Sequence, residues 1–273
     1  MIQAPTSQDR AAWKDTRIGR FTASKFGALM TQPRNKADRE AGKFSAEGAG
    51  YIFAKAIERL TGVPMDDAGA TSTMRRGLLL EPAALHILSS AWKPCDACTW
   101  QAYGDILGST PDALVDAGGG TMDLKCPANP ADVVRFAVEV PNGDFDALIA
   151  WDRNYAWQIM VQALTCGSDT AHLVYFTDRL PIHKLTPDER DAAQLLIDAA
   201  ADRYSGDNLY PWEYQYASDG YFFAARSFLV TEEVKDRILS TLARAEAECQ
   251  RIMGMLPDVL GMTPGLLKDL GQD

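Results

Sequence analysis

Histidine is scarce, with three in 273 residues. A His-rich metal site or a nuclease built on a histidine base is therefore a poor fit. Cysteine is sparse too: five scattered residues make no disulfide framework and point to a reduced, intracellular setting. No run approaches the roughly 20 apolar residues that a spanning helix needs. The opening residues, MIQAPTSQDR, hold no apolar export segment. There is no internal repeat and no low-complexity linker. An overall basic excess is also missing. The chain has 27 Lys and Arg against 37 Asp and Glu, a net charge of −10, which argues against indiscriminate nucleic-acid binding.

What is present is ordinary globular material, 47% hydrophobic and 23% charged, enough for one sizeable core. The charge is unevenly placed. Residues 1–60 carry a net +5, residues 61–180 a net −8 and residues 181–273 a net −7. A basic segment on an acidic body suits a protein that holds a polyanion in one groove and repels it elsewhere. A solvated basic face without a partner fits the charge equally well.

Periodicity and punctuation outline the elements. A helix starts near Thr22 or Ser24 and runs through Phe26, Leu29 and Met30. Pro33 then marks a loop, and residues 34–43 read as a polar, mobile stretch. A second helix runs from Ser45 to Gly62 with Tyr51, Ala54, Ile57 and Leu60 at helical spacing. A third spans about residues 73–92, with Leu78, Leu85 and Leu88 as core candidates, and begins or bends at Pro82. Strands are expected at 100–108, 111–117 and 120–125, the last two joined by a turn at Gly118, Gly119 and Gly120. Residues 155–164 return to helical spacing and 171–176 form a strand. Thr186-Pro187-Asp188-Glu189 opens a capped helix that ends at Gly206. A strand at 221–230 precedes a final helix with Val234, Ile238, Leu242, Ala245, Cys249 and Ile252 on one stripe. The order predicts an α/β or α+β single domain around a mixed sheet.

The informative stretch is residues 104–127. Asp112 sits on one hairpin arm and Asp123 and Lys125 on the other. Period-two alternation puts Asp123 and Lys125 on one face and Leu124 on the opposite one. With a turn between Gly118 and Gly119, residue 112 lies opposite residue 125. Two neighbouring carboxylates repel unless a cation separates them, and hard oxygen ligands suit Mg²⁺ or Mn²⁺. Such an ion acidifies a bound water and stabilises charge on a phosphoryl oxygen. A lysine beside it can orient or deprotonate that water, its own proton affinity lowered by cation and burial. The plain alternative is a surface acidic pair with a snorkelling lysine. The apolar flanks Leu124 and Cys126 favour a buried strand, where charges need partners.

Pro111-Asp112 followed by Asp123-Leu124-Lys125 resembles the PD-(D/E)xK nuclease motif. More closely, the chain resembles the lambda exonuclease / YqaJ-like viral recombinase family. Trp13 to Arg17 with Phe21-Thr22-Ala23-Ser24 matches that family's opening block, and Gln32-Pro33-Arg34 follows. Gly77 to Glu81 matches a helical block. Ser109-Thr110-Pro111-Asp112-Ala113-Leu114 and Asp123-Leu124-Lys125-Cys126-Pro127 match two more, with Ala113 in place of the usual Gly and Asp123 in place of Glu. Tyr155-Ala156-Trp157-Gln158 with Gln162 matches a further helix. The likeness covers about residues 10–180 and, more weakly, 221–253. Residues 183–220 read as an insertion, and residues 231–273 as a C-terminal helical extension.

The resemblance implies a PD-(D/E)xK restriction-endonuclease-like core, a central mixed sheet flanked by helices. It implies that Asp112, Asp123 and the Leu124 backbone carbonyl hold Mg²⁺, with Mn²⁺ able to substitute, and that Lys125 orients the nucleophilic water. Glu81 then points at a second metal position or its water; the alternative is a first-turn glutamate stabilised by the helix dipole before Pro82. Gln158 hydrogen-bonds near the water and Lys125, or is a plain polar residue on an amphipathic helix. Arg17 and Ser24 resemble an anchor for a terminal 5′-phosphate. A helix N-terminus and a guanidinium suit an anion, although Ser24 also reads as a simple N-cap. Arg34 is expected to contact the DNA backbone from a loop. Trp13 reads as packing rather than base stacking.

The activity implied is 5′→3′ exonuclease digestion of double-stranded DNA ends, leaving 3′ single strands for phage-type recombination beside a single-strand-annealing protein. A ring-shaped homotrimer in the bacterial cytoplasm goes with it. The competing expectations are an endonuclease on the same core and a catalytically inactive DNA-binding or assembly protein. Cys95 and Cys98 form a lone CxxC with no second pair at zinc spacing. Trp151, Tyr155 and Trp157 read as core or channel wall. Tyr210, Trp212, Tyr214 and Tyr216 form an aromatic cluster, either a partner surface or a lid on the core.

Overall fold

The structure, a computed structural model, describes residues 13–65, 71–92, 94–95, 100–115, 119–202 and 209–259. Residues 13–17 are helical (α1). There follow β1 (Phe21–Thr22), α2 (Ala23–Met30), α3 (Lys36–Glu40), α4 (Ala46–Thr61), α5 (Ser72–Trp92) and β2 (Pro94–Cys95). Next come β3 (Gln101–Tyr103), β4 (Leu107–Ser109), β5 (Ala113–Val115), β6 (Gly120–Lys125), α6 (Pro130–Glu139), α7 (Phe145–Trp151) and α8 (Arg153–Thr165). The chain continues through β7 (Thr170–Thr177), β8 (His183–Lys184), α9 (Pro187–Ala201), α10 (Pro211–Tyr214), β9 (Gly220–Leu229) and α11 (Glu232–Val259).

Two sheets result. The larger has the order β2-β5-β6-β7-β9-β8, and the smaller β1-β4-β3. Both are mixed: β6 runs parallel to β7 and β1 parallel to β4, while β5 with β6 and β7 with β9 are antiparallel. The large sheet is buried on both faces. Leu173 and Tyr175 of β7 join one apolar core with Phe136, Trp157 and Ile159. Val174 and Phe176, with Met122 and Leu124 of β6, join a second core with Leu79, Leu80 and Ile197. Alternation along the strands puts these sets on opposite faces, as a sheet covered on both sides requires. The stripe of α11 is buried as its spacing predicts, from Val234 through Cys249, with Ile252 partly buried. Truncating a residue such as Ile238 to alanine would cost about 2–5 kcal/mol.

Several expectations need correction. The strand expected at 100–108 is two strands, β3 and β4, antiparallel to each other and joined by a turn in which Gly104 takes φ 58°. The 34–43 stretch is not uniformly irregular: Asn35 caps α3 by accepting from the Ala37 N–H. Helix α5 starts well before Pro82 and continues through it. Leu78 on that helix is 38% exposed, and Leu79 fills the core position instead. On α4 the buried side is Tyr51, Ile52, Lys55, Ala56 and Glu58, not the stripe through Ala54, Ile57 and Leu60. The displacement arises because two charged residues are buried as a pair, with Lys55 Nζ 2.7 Å from Glu58 Oε2. The capping box at Thr186 and Glu189 forms as expected, but α9 ends at Ala201. Gly118, Cys98 and Gly206 lie outside the described residues, as does the Cys95 side chain.

Candidate active site

The β5–β6 hairpin builds the site. Val115 pairs with Gly120 and Ala113 with Met122, so the turn centres one residue earlier than expected. That moves each partner by two positions, and Asp112 comes level with Asp123 rather than Lys125. A shift of two keeps every side chain on its face, so the convergence survives. The Asp112 N–H donates to the Met122 carbonyl at 3.0 Å, and its Oδ2 accepts from the Leu124 N–H at 2.6 Å. Asp112 thus grips the strand on both sides of Asp123. Gly120 has φ 109° and backs onto β7, where a Cβ would lie 2.4 Å from the Thr170 carbonyl oxygen. Only glycine admits that approach.

Helix α8 presents the second half. Asp152 caps it by accepting from the Tyr155 N–H, and Tyr155, Gln158 and Gln162 recur on one face. Asp123 is 1% exposed. Its Oδ1 accepts from Gln158 Nε2 at 2.6 Å and from Gln162 Nε2 at 2.8 Å. Its Oδ2 forms an ion pair with Lys125 Nζ at 2.6 Å. Lys125 Nζ also lies 3.5 Å from Gln158 Oε1 and 4.5 Å from the Tyr155 ring centre. Gln158 therefore bridges acid and lysine, which displaces its reading as a plain surface polar residue. Gln162 is a site residue that motif reading alone did not assign a role. The signal was present: it lies one turn beyond Gln158.

Burial, then Glu81, then Asp123 push the Asp112 carboxyl well above the usual carboxylate range, against the opposing pull of Lys125 and the Leu124 N–H. Lys125 departs from expectation. Burial pulls its proton affinity down, but Asp123 and Asp112 outweigh that and raise it. The ammonium is thus held charged by the acids around it. Burial also pushes the Cys126 thiol up, with Glu81 adding to the effect, so Cys126 is a poor nucleophile here.

A cleft of about 560 Å³ opens beside this cluster, with Met74, Gly77 and Glu81 on one side and Trp151, Tyr155 and Tyr175 on the other; Leu124 and Lys125 also line it. Glu81 sits in the middle of α5, so its reading as a first-turn residue does not hold. Among the described residues, no three His, Cys, Asp or Glu side chains group closely enough to enclose an ion. In the arrangement described, Asp123 is taken up by Lys125 and two glutamines. The chemistry of the donors nonetheless fits a hard divalent cation. Asp112 and Asp123 lie beside one lysine, and Asp112 is raised first by burial and then by the charges of Glu81 and Asp123, hard oxygen donors of the kind that suit such an ion.

The candidate anchor residues lie nearby in the topology. Arg17 and Ser24 flank β1, and β1 pairs with β4 through Phe21–Leu107 and Thr22–Gly108. Strand β4 leads directly into Thr110-Pro111-Asp112. The N-cap of α2 is Thr22, not Ser24, which sits exposed in the first turn with Oγ 3.4 Å from Thr22 Oγ1. The Arg17 guanidinium stacks 4.2 Å from the Trp13 ring centre. Arg34 is exposed beyond the far end of α2, about 12 Å along an eight-residue helix from Ser24's end.

No protein-family model matches the sequence, and no curated protein matches it significantly. Solved structures do match. The alkaline exonuclease LHK-Exo from Laribacter hongkongensis superimposes with a TM-score of 0.58 at 18% identity, over 92% of this chain and 98% of that one. The same enzyme in complex with dAMP gives a TM-score of 0.61 at 19% identity over the same shares. A phage-related exonuclease from Haemophilus somnus gives 0.58 at 16% identity, over 87% of this chain and 96% of that one. The chain therefore has the mixed α/β fold seen in these exonucleases, in keeping with the PD-(D/E)xK likeness of its motifs.

Proposed function

We propose that this protein is a metal-dependent exonuclease that digests double-stranded DNA from its ends in the 5′→3′ direction and leaves 3′ single strands. The observation that carries the reading is the grouping of Asp112, Asp123, Lys125 and Gln158 beside a cleft bordered by Glu81, on a fold shared with exonucleases. Asp112, Asp123 and the Leu124 carbonyl are the residues to hold Mg²⁺ or Mn²⁺, with Glu81 at a second position or its water. When bound, the metal acidifies a water and stabilises charge on a phosphoryl oxygen.

The chain's own groups do the rest. Asp123, fixed by two amide donors, keeps Lys125 at one place. Lys125 donates hydrogen bonds that orient a water towards phosphorus. Gln158 ties the two together and limits their freedom. Arg17 and Ser24 receive a terminal 5′-phosphate, and Arg34 contacts the DNA backbone. A homotrimeric ring, a single-strand-annealing partner and a place in the bacterial cytoplasm accompany this reading. Among the described residues, no helix is long and apolar enough to cross a membrane.

Linear duplex labelled at the 5′ or the 3′ end, and a covalently closed circle, incubated with and without Mg²⁺, test the proposal. Release of 5′ label first, only with Mg²⁺ and only from linear DNA, is expected. Cutting of the closed circle favours an endonuclease on this core. Metal binding with no cleavage of any substrate favours a DNA-binding protein without catalysis. A 5′-phosphorylated end is expected to react faster than a 5′-hydroxyl end, and Arg17→Ala to erase the difference.

A further inference from the structure

The aromatic segment around α10 packs against the start of α5 through buried charges. Arg75 Nε donates to Glu213 Oε1 at 3.0 Å. Glu213 is fully buried, and its other oxygen accepts from the Tyr210 N–H at 2.6 Å. Arg76, also buried, donates to Asp178 Oδ2 and lies 3.4 Å from the Glu213 carbonyl. The same Asp178 oxygen accepts from the Ala217 N–H at 2.9 Å. Asp178 directly follows β7. Arg179, the next residue, donates at 2.8 Å to the Ala128 carbonyl beyond the end of β6 and stands 5.9 Å from the Trp212 ring centre. Gln194 of α9 secures the segment by donating to the Tyr214 carbonyl and accepting from the Tyr216 N–H, each at 2.9 Å. Residues 210–217 thus fasten α5 to the ends of β6 and β7, and the buried Tyr216 makes part of this aromatic cluster a lid on the core.

We infer that the buried Arg76–Asp178 pair is the pin that holds Glu81 at the cleft. It fixes how α5 is seated, and so where the Glu81 carboxylate stands relative to Asp112 and Asp123. Arg76 and Asp178 are positioning residues in this role. The inference rests on the metal-dependent exonuclease reading and adds to it the groups that place the third carboxylate.

The physical basis is helix geometry. Arg76 and Glu81 are five positions apart, about 7.5 Å along the axis and about 140° around it. Gly77 and Glu81, four apart, share a face, and both line the cleft. That face meets the catalytic strand closely: a Cβ on Gly77 would lie 3.6 Å from the Cys126 carbonyl oxygen. Helix α5 is therefore held between the cleft on one side and the buried pair on another. Its own hydrogen-bond ladder is weakest at this point, because Pro82 has no N–H for the Leu78 carbonyl. A helix with such a gap bends there unless outside contacts hold it. A guanidinium fork on a carboxylate fixes direction as well as distance.

The test uses the full-length protein with two readouts. Mn²⁺ affinity is measured without DNA, from the electron paramagnetic resonance signal of the free ion. The Mg²⁺ concentration for half-maximal digestion is measured on linear duplex. Arg76→Met/Asp178→Asn removes both charges, so none is stranded, and keeps an acceptor for Ala217. It is expected to melt cooperatively, to bind Mn²⁺ about tenfold more weakly and to need about tenfold more Mg²⁺, with little change in KM for DNA. Adding Glu81→Gln to this variant is expected to weaken Mn²⁺ binding no further than Glu81→Gln alone does. Arg76→Lys keeps the charge without the fork and is expected to shift both readouts the same way by less. Ile238→Ala, which loosens the core at α11, is expected to leave Mn²⁺ affinity at the wild-type value. Wild-type Mn²⁺ affinity in Arg76→Met/Asp178→Asn overturns the inference, as does wild-type affinity in Arg76→Lys if the double variant fails to fold. So does a loss that adds in full to that of Glu81→Gln, or an equal loss in Ile238→Ala, which marks general loosening. A wild type that binds Mn²⁺ yet digests no linear duplex overturns the exonuclease reading, while the Mn²⁺ affinities still decide the pin. A wild type that binds no Mn²⁺ overturns both.

Discussion

Gln158 and Gln162, one turn apart on α8, donate to the same oxygen, Oδ1 of Asp123. The duplication has a consequence for mutants. Hydrogen bonds to a buried carboxylate are worth about 1.5–3 kcal/mol each, and either donor alone leaves the oxygen satisfied. Gln158→Met and Gln162→Met should each cost modestly in thermal stability. The double variant should lose more than the sum, because only there is a buried charge left with no amide donor. Gln158→Met should also lower activity more than Gln162→Met, since Gln158 alone reaches Lys125. Melting curves and initial rates on the four proteins check both statements. Additive losses would show that the two amides are not interchangeable supports.

Asp112 illustrates the conflict between stability and function at such a site. Its carboxyl is raised above an ordinary value of 3.8 by burial and by Glu81 and Asp123. The sign follows directly. The folded state binds this proton more tightly than the unfolded state, so metal-free stability falls as pH rises from the unfolded value through the folded one. Asp112→Asn removes that decline. At neutral pH without metal, the variant should melt no lower than wild type. Addition of Mg²⁺ should raise the wild-type melting temperature and leave the variant unmoved. Activity should drop by roughly 10²–10⁴-fold in Asp112→Asn and in Lys125→Ala. A wild type whose melting ignores Mg²⁺ at every pH would remove the metal assignment.

Much of the arrangement follows from local rules. Alternation placed Asp123 and Lys125 together, and the hairpin brought Asp112 to them even though the turn lay one residue from its expected centre. The Thr186 cap, the α11 stripe and the two glutamines of α8 obey spacing rules that need no tertiary knowledge. The short helices α6 and α7 are not recoverable from periodicity, because seven to ten residues barely repeat a 3.6-residue pattern. Their caps, Asn129 with Pro130 and Asp144, were the better signal. The buried ion pairs Lys55–Glu58 and Arg76–Asp178 are illegible for a different reason. A charged residue reads as solvent-facing until its partner is known, and for Arg76 the partner is 102 residues away.

Gly27 tests the seating of α8 from the opposite side. A Cβ there would stand 2.2 Å from Asn154 Oδ1 and 2.8 Å from the Asn154 Cα. The first contact could be relieved by a side-chain rotation, but the second involves backbone and cannot. Gly27→Ala should push α2 and α8 apart and cost about 1–3 kcal/mol. Because α8 carries Gln158 and Gln162, activity should fall as well. Gly27→Ala combined with Asn154→Ala should recover little, since the backbone clash persists. Full recovery in the double variant would place the conflict in the Asn154 side chain alone.

The Lys55–Glu58 pair makes the last prediction, because its geometry joins α4 to the loop that precedes β1. Glu58 Oε2 accepts from Lys55 Nζ at 2.7 Å and from the Gly19 N–H at 2.8 Å, while Oε1 accepts from the Met65 N–H at 3.0 Å. Gly19 takes φ 69°, and Arg59 Nε donates to its carbonyl at 2.7 Å, so α4 holds this turn by both backbone groups. Glu58→Gln keeps an acceptor for Gly19 but leaves the Lys55 ammonium buried without its counter-charge. Breaking one partner of a buried pair costs about 3–5 kcal/mol. Lys55→Met added to Glu58→Gln removes the stranded charge, and the double variant should regain most of the loss. Denaturant unfolding of the wild type, both single variants and the double variant measures the coupling. If Glu58→Gln is as stable as wild type, the pair contributes nothing by its charge, and the hydrogen bonds to Gly19 and Met65 alone hold the turn.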